Sequence, residues 1–250
     1  MAERTALVTG ATGTIGAAVV RRLAAGGYDI AIHHRGSPEA ATALAEEVLH
    51  SGRRAAVVAA ELTEVDLDRV VEGLLDEVAA GLGTPEVVVL NAAAQDLTPW
   101  SRLDSAAWDR VYAGVLRHTA VLLHAAAERM VSGGVLVVVG SIEGLRAAPE
   151  HSAYAVMKAA THHLVAAAAH ELGPRGIRVV GVAPGLVERP GLAREWPQGY
   201  HRWVSASALG RTVAATEVAE VVAFLASAGA AAVTGVVLPV DAGWSAAPGW

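Results

Sequence analysis

Apolar positions follow two alternating patterns along the 250-residue chain. Short runs rich in Val, Ile and Ala alternate with longer alanine-rich segments of helical spacing, which predicts a doubly wound α/β fold, a seven-stranded parallel sheet with helices on both faces. The predicted strands are Thr5–Val8, Asp29–His33, Ala55–Ala59, Val87–Leu90, Val135–Val139, Arg178–Val182 and Val236–Val240. The predicted helices are Ile15–Ala25, Pro38–Leu49, Glu64–Ala80, Ser105–Val131, Ala153–Leu172 and Glu217–Ala226.

The longest stretch without either pattern runs from Gly185 to about Ala215 and contains Trp196, Tyr200 and Trp203. Loops of this length in a compact domain are usually functional. We therefore expect one domain over residues 1–250, with a substrate loop at about 185–215.

A glycine-rich turn, Thr9-Gly-Ala-Thr-Gly-Thr-Ile-Gly16, follows the first predicted strand and opens the first predicted helix. Glycine lets the backbone approach a pyrophosphate closely, and the amides at a helix N-terminus favour its charge. The turn therefore predicts a dinucleotide site, and the expected contacts are Gly10, Thr12, Thr14, Ile15 and Gly16.

The end of the second predicted strand reads Ile32-His-His-Arg-Gly-Ser37 and contains no carboxylate. Chains that bind NAD usually place Asp or Glu there, whereas an Arg with a nearby hydroxyl suits the 2′-phosphate of NADP. We predict that His34, Arg35 and Ser37 bind NADP(H) in preference to NAD(H). The alternative is that Arg35 is a solvated loop residue.

Tyr154 and Lys158 are four residues apart in a predicted helix, and Ser141 follows a predicted strand. Positions i and i+4 lie on one helix face, so the ammonium can favour the phenolate of a tyrosine whose pKa is ordinarily ~10. Ser141 can hold a carbonyl oxygen against the tyrosine hydroxyl. The three side chains predict acid/base catalysis of a hydride transfer, and the alternative is a surface Tyr beside a solvated Lys.

Together these motifs resemble the short-chain dehydrogenase/reductase family nearly end to end. The resemblance extends to Asn91-Ala-Ala, to Glu61-Leu62, to Gly173-Pro-Arg-Gly-Ile-Arg-Val179, to Ala183-Pro-Gly185 and to the closing segment from Val233 to Trp244. It implies a Rossmann-type fold and an NADP(H)-dependent ketoreductase or alcohol dehydrogenase, with Tyr154 as acid or base and Lys158 on the nicotinamide ribose. The further cofactor contacts that it implies are Glu61, Leu62, Asn91, Ala92, Ala93, Pro184, Gly185 and Val187.

A substrate pocket and an assembly are also expected. The expected substrate contacts are Gln95, Ile142, Glu143, His151, Leu186, Trp196 and Tyr200. The resemblance implies a homotetramer or homodimer through the two long predicted helices, which begin at Ser105 and Ala153.

Three positions depart from the family pattern. Val115 stands where the family usually has an Asn that anchors a water on the proton path to the lysine, so the relay is either rebuilt, for example through a backbone carbonyl, or impaired. Thr14 stands at a usual glycine, which should alter packing against the pyrophosphate more than abolish binding. Arg189 replaces a usual Thr and could reach the pyrophosphate or an acidic substrate.

The composition of the chain argues against several other classes of protein. A net charge of −6 gives no basic field for nucleic acid or an anionic membrane, and no apolar run approaches the ~18 residues of a membrane span. The chain has no Cys, and its ten His show no metal-ligand spacing, so neither a disulfide nor a metal is expected. We expect a soluble, cytoplasmic protein that acts on a small carbonyl or alcohol.

Two other functions stay open on the sequence alone. A non-catalytic NADP(H)-binding regulator would account for the departures at Val115 and Arg189, although Ser141, Tyr154 and Lys158 are all present. A lyase or isomerase could use the same acid and base with a tightly held cofactor.

Overall fold

The computed structural model describes residues 4–96 and 98–246. Within these ranges, seven parallel strands form one sheet in the order β3-β2-β1-β4-β5-β6-β7. In such a sheet ligands bind at the carboxyl edge, where the strand order reverses. The strands are β1 (Thr5–Val8), β2 (Asp29–His34), β3 (Ala55–Ala59), β4 (Val87–Leu90), β5 (Val135–Val139), β6 (Arg178–Pro184) and β7 (Val237–Val240).

Helices cover both faces of the sheet, and the predicted fold class is confirmed. The helices are α1 (Thr14–Ala25), α2 (Pro38–His50), α3 (Leu67–Leu82), α4 (Ser105–Val111), α5 (His118–Arg129), α6 (Ser152–Leu172), α7 (Leu192–Glu195), α8 (Pro197–Ala206) and α9 (Ala215–Ala226). Successive strand residues point to opposite faces. In β1, Ala6 and Val8 pack with α1, α2 and α9, whereas Leu7 packs with α3, α5 and α6.

Three predicted segments differ from the structure by three or more residues or in kind. The helix expected over Ser105–Val131 is interrupted by a π-helical turn, Tyr112–Arg117, between α4 and α5. Hydrophobic spacing cannot reveal it, because α-helical segments flank it on both sides. The loop expected at about 185–215 contains α7, which has four residues, and α8, which begins at Pro197 and buries only Gly199, so neither shows a hydrophobic helical period. The helix expected from Glu64 begins later, at Leu67.

The π-helical turn frees a carbonyl close to the carboxyl edge. Gly114 O accepts the Ala94 N–H at 2.9 Å and lies 3.1 Å from His118 Nε2. These contacts tie the loop after β4 to the long helical segment. No helix in residues 4–96 and 98–246 has both the length and the apolar composition to cross a membrane.

Candidate functional site

A cavity of about 760 Å³ opens at the carboxyl edge of the sheet, where β1, β2 and β4 end. This volume lies in the range of small-molecule and cofactor sites. The predicted residues in its wall are Gly10, Thr12, Thr14, Ile15, Gly16, Arg35, Ser37, Glu61, Leu62, Asn91, Ala92, Ala93, Gln95 and Val187. Residues that the sequence did not single out also line it, namely His33, Gly36, Ala60, Thr63, Gly114 and His118.

Buried contacts hold the glycine turn. Gly10 has a φ of +59°, and its N–H donates to Nδ1 of the buried His33 at 3.1 Å. A Cβ at Gly16 would lie 2.3 Å from Gly10 O, so only glycine fits there. The Asn91 amide donates to the carbonyls of Thr9 and Gly10 at 2.9 and 3.0 Å. The loop after β4 therefore fastens the turn after β1.

The start of α1 suits an anion. Its N-cap residue, Gly13, makes no side-chain cap, and no acidic residue lies in the first turn. The backbone amides there can therefore meet the charge of a pyrophosphate. Thr14 is exposed at the cavity wall, so its side chain does not fill the turn.

A cation and a free hydroxyl lie at the end of β2. Arg35 Nε is 3.8 Å from Glu61 Oε2, and the Arg35 side chain is 68% exposed. Ser37 begins α2 without a side-chain cap, so its hydroxyl is available. Burial raises the pKa of Glu61, but hydrogen bonds from Thr63 and the charge of Arg35 together hold that pKa below its ordinary value.

His34 differs from its expected place. It is buried outside the cavity wall, and its Nδ1 accepts the Ser37 N–H at 3.3 Å. Because side chains alternate along β2, the neighbouring His33 lines the cavity instead. Strand alternation is the signal that could have identified His33.

Tyr154 and Lys158 share one face of α6, beside the end of β5. Lys158 Nζ donates to Val139 O at 2.8 Å and lies 5.6 Å from the centroid of the Tyr154 ring. Burial lowers the pKa of Lys158 to about 8, against the opposing charge of Glu143. Burial and the charge of Glu143 raise the pKa of Tyr154, and a hydrogen bond with Ser141 lowers it by less. Burial therefore raises the pKa of Tyr154, whereas the motif predicted that Lys158 would lower it.

His162, one turn beyond Lys158, supports Ser141 and was missed by sequence reasoning. The Ser141 N–H donates to His162 Nε2 at 3.4 Å. A Cβ at Gly140 would lie 2.3 Å from that nitrogen, so glycine makes room for the ring. Burial lowers the pKa of His162 to about 4, which keeps the imidazole neutral. Gly140 and Gly144, which both make room for the His162 ring, were the available signal.

The expected substrate residues lie in three different settings. Glu143 and His151 pair beside Ser141, with His151 Nδ1 2.7 Å from Glu143 Oε2. Trp196, by contrast, is 49% exposed and lies with Tyr200 outside the cavity wall. The remaining expected residues are the buried Ile142, the partly buried Leu186 and Gln95 in the cavity wall. Pro184 ends β6 and Gly185 follows it, and both lie outside that wall.

Val115 lies in the π-helical turn and is 1% exposed. It packs with Val111, Ala153 and Tyr154. Its carbonyl already accepts the Thr119 hydroxyl at 2.7 Å. In the described part of the chain, no group of three or more Cys, His, Asp or Glu is arranged to hold a metal ion.

The strand order, the glycine turn and the cavity define a dinucleotide-binding α/β fold of the Rossmann type. A profile described as enoyl-(acyl carrier protein) reductase matches residues 10–245. The chain belongs to the short-chain dehydrogenase/reductase family.

Three relatives place the chain within this family. The chain is 38% identical over 249 residues to cis-4-hydroxycyclohexanecarboxylate dehydrogenase of Sinomonas cyclohexanicum, with 98% of each chain covered. A short-chain dehydrogenase of Burkholderia cenocepacia, solved with NADP, is 32% identical with a TM-score of 0.88. A blue fluorescent protein from a metagenomic library, solved with NADPH, is 31% identical with a TM-score of 0.90. Both structural matches cover 97% of this chain and 98% of the other.

Proposed function

We propose that this protein is an NADP(H)-dependent oxidoreductase that moves a hydride between the nicotinamide and a carbonyl or secondary alcohol. The observation that carries the proposal is the cluster of Ser141, Tyr154 and Lys158 at the carboxyl edge, beside a cavity built for a dinucleotide. Two of the relatives above are named as dehydrogenases, which supports the same class.

NADP(H) fits the residues of the cavity. Arg35 and the uncapped hydroxyl of Ser37 would hold the 2′-phosphate, and the amides at the start of α1 would hold the pyrophosphate. Asn91 keeps the glycine turn in place for that contact. Relatives solved with NADP and NADPH support the choice.

Side chains of the protein account for the proton transfer that accompanies the hydride transfer. The bound dinucleotide would supply the hydride for reduction or accept it for oxidation. The Tyr154 hydroxyl is protonated at neutral pH, and it would donate that proton to the carbonyl oxygen as the oxygen becomes an alkoxide. Ser141 would hold the same oxygen, while His162 holds the Ser141 backbone. The Lys158 ammonium, fixed by Val139, would bind the nicotinamide ribose.

The residues expected to contact the substrate favour a small molecule with a polar group. Glu143 pairs with His151, and its N–H donates to the Ser141 hydroxyl at 3.2 Å, so this polar pair would lie next to a substrate held by Ser141. The first compounds to assay are substituted cyclohexanones and cyclohexanols, because one relative is named for a ring alcohol. Assembly as a homotetramer or homodimer and a cytoplasmic location stay predictions.

Tyr154→Phe tests the proposal, with Tyr112→Phe as the matched control because Tyr112 is 43% exposed. Losing the general acid should lower the rate of carbonyl reduction by ~100-fold or more and leave NADPH affinity nearly unchanged. Stopped-flow NADPH oxidation and calorimetric titration measure the two quantities. If the wild type binds NADPH but reduces no carbonyl in a broad screen, the regulator hypothesis replaces this one.

A further inference from the structure

Arg189 lies in the wall of the cofactor cavity, as does Arg35. Its Nη1 is 2.6 Å from Glu195 Oε2, and the two side chains are 47% and 50% exposed. An exposed ion pair of this kind contributes little to stability. Arg189 can therefore exchange Glu195 for a stronger anion at small cost.

The backbone between the two residues favours their pairing. Gly191 has a φ of +84°, and a Cβ there would lie 2.6 Å from Glu195 Oε1. Arg189 O accepts the Leu192 N–H at 3.1 Å, which closes a compact turn. The turn is attached to the body of the protein where the Glu188 N–H donates to Val213 O at 2.8 Å.

Position in the sheet separates the two arginines. Arg35 follows β2 and Arg189 follows β6, and the strand order places four inter-strand steps between them. At ~4.8 Å a step, the ends of β2 and β6 are roughly 19 Å apart. The glycine turn after β1, where the diphosphate would lie, is one step closer to β6 than the end of β2 is. The diphosphate is therefore the nearer of the two phosphate groups to the segment that carries Arg189.

We propose that Arg189 binds the diphosphate of the dinucleotide, and that it leaves Glu195 to do so. The inference rests on the proposed cofactor site. Charge-assisted bonds from a guanidinium to phosphate are short and directional, so the diphosphate outcompetes an exposed carboxylate. The exchange frees the Glu195 carboxylate, while the backbone hydrogen bonds of α7 stay in place.

Calorimetric titration of four variants with NADPH and NADH tests the proposal without measuring turnover. Arg189→Ala should weaken both dinucleotides about tenfold or more, because both carry the diphosphate. Arg35→Ala should weaken NADPH alone. Glu195→Gln should tighten both dinucleotides, because it removes the competing carboxylate. Arg194→Ala is the matched control, since Arg194 is exposed on α7 outside the cavity wall, and it should change neither affinity.

The outcomes separate this inference from the proposed function. If the wild type binds neither dinucleotide, the proposed function fails. If the wild type binds both and Arg189→Ala binds them equally well, the assignment of Arg189 is wrong. A loss confined to NADPH would place Arg189 on the 2′-phosphate and overturn the assignment. An unchanged affinity in Glu195→Gln would overturn the exchange of partners. Arg189→Gln, checked by circular dichroism, replaces the alanine variant if that variant does not fold.

Discussion

The carboxyl edge around β1 and β4 and the segment after β6 are stabilised by different contacts. At the edge, His33 and Asn91 hold the glycine turn through hydrogen bonds to Gly10 that are at least partly buried. After β6, an exposed ion pair joins Arg189 to Glu195, and Trp196 is 49% exposed. The edge is therefore organised before any ligand binds, whereas the later segment can change its contacts at small cost.

This difference matches the chemistry that each region serves. A diphosphate has the same shape in every dinucleotide, so a fixed arrangement of backbone amides suits it. Substrates differ in shape, and the segment beside them is held by contacts that are easily remade. We expect substitutions at the edge to alter both stability and cofactor affinity, and substitutions in the later segment, other than at Arg189, to have smaller effects.

The largest effect on stability is expected from Gly16→Ala. The new Cβ would lie 2.3 Å from Gly10 O and 2.8 Å from Ala11 Cα, so the turn must move. Overpacking of this kind should lower the free energy of unfolding by about 3 kcal/mol. Gly13→Ala is the control, because its Cβ would meet Gly10 O at an ordinary 3.4 Å. Urea denaturation measures both, and equal midpoints would show that the turn is not rigid.

Arg35→Ala should remove most of the preference for NADPH over NADH. Losing a charged contact to the 2′-phosphate costs on the order of 1.5–3 kcal/mol of binding energy. Glu61, which lies 3.8 Å from Arg35, would then repel the phosphate in addition. Titration with both cofactors measures the change. A preference that survives the substitution would contradict the role of Arg35.

Stability should fall as the pH falls from about 6.5 towards 4, and His118 is a main cause. Burial lowers the pKa of His118 to about 4, and the charges of Lys158, His33 and Arg117 act in the same direction. Between the two pKa values the unfolded chain binds a proton that the folded chain does not. Acidification therefore favours unfolding, by up to ~2 kcal/mol between pH 6.5 and pH 5 for this residue.

His118→Gln should flatten this pH dependence, and His163→Gln should leave it unchanged. His163 is exposed on α6, which makes it a matched control. Urea denaturation at several pH values gives the free energy of unfolding for each variant. Parallel curves for the wild type and His118→Gln would show that the buried imidazole does not titrate in this range.

The fold and most of the cavity wall follow from the sequence for a physical reason. Strands buried on both faces read as apolar runs, and close approach of backbone to phosphate requires glycine at defined places. Strand alternation is a local signal for His33, and the glycines near Ser141 are one for His162. The contact of Gly114 with His118 depends on the π-helical turn, for which hydrophobic spacing gives no signal. The raised pKa of Tyr154 could not be predicted from the motif either, because it depends on burial rather than on Lys158.

The smallest effect is expected at the far end of the later segment. Trp203 of α8 stacks on Trp244, with ring centroids 4.9 Å apart and an interplanar angle of 3°. A double-mutant cycle with Trp203→Leu and Trp244→Leu should give a coupling of ~0.5–1.5 kcal/mol in the free energy of unfolding, typical of an aromatic pair. The same cycle with the exposed Trp196 in place of Trp203 should give none. Cofactor affinity should stay unchanged in these variants, because neither stacked ring lines the cavity. A coupling near zero for the stacked pair would mean that α8 is held by other contacts, and a loss of NADPH affinity would remove the distinction between the two regions.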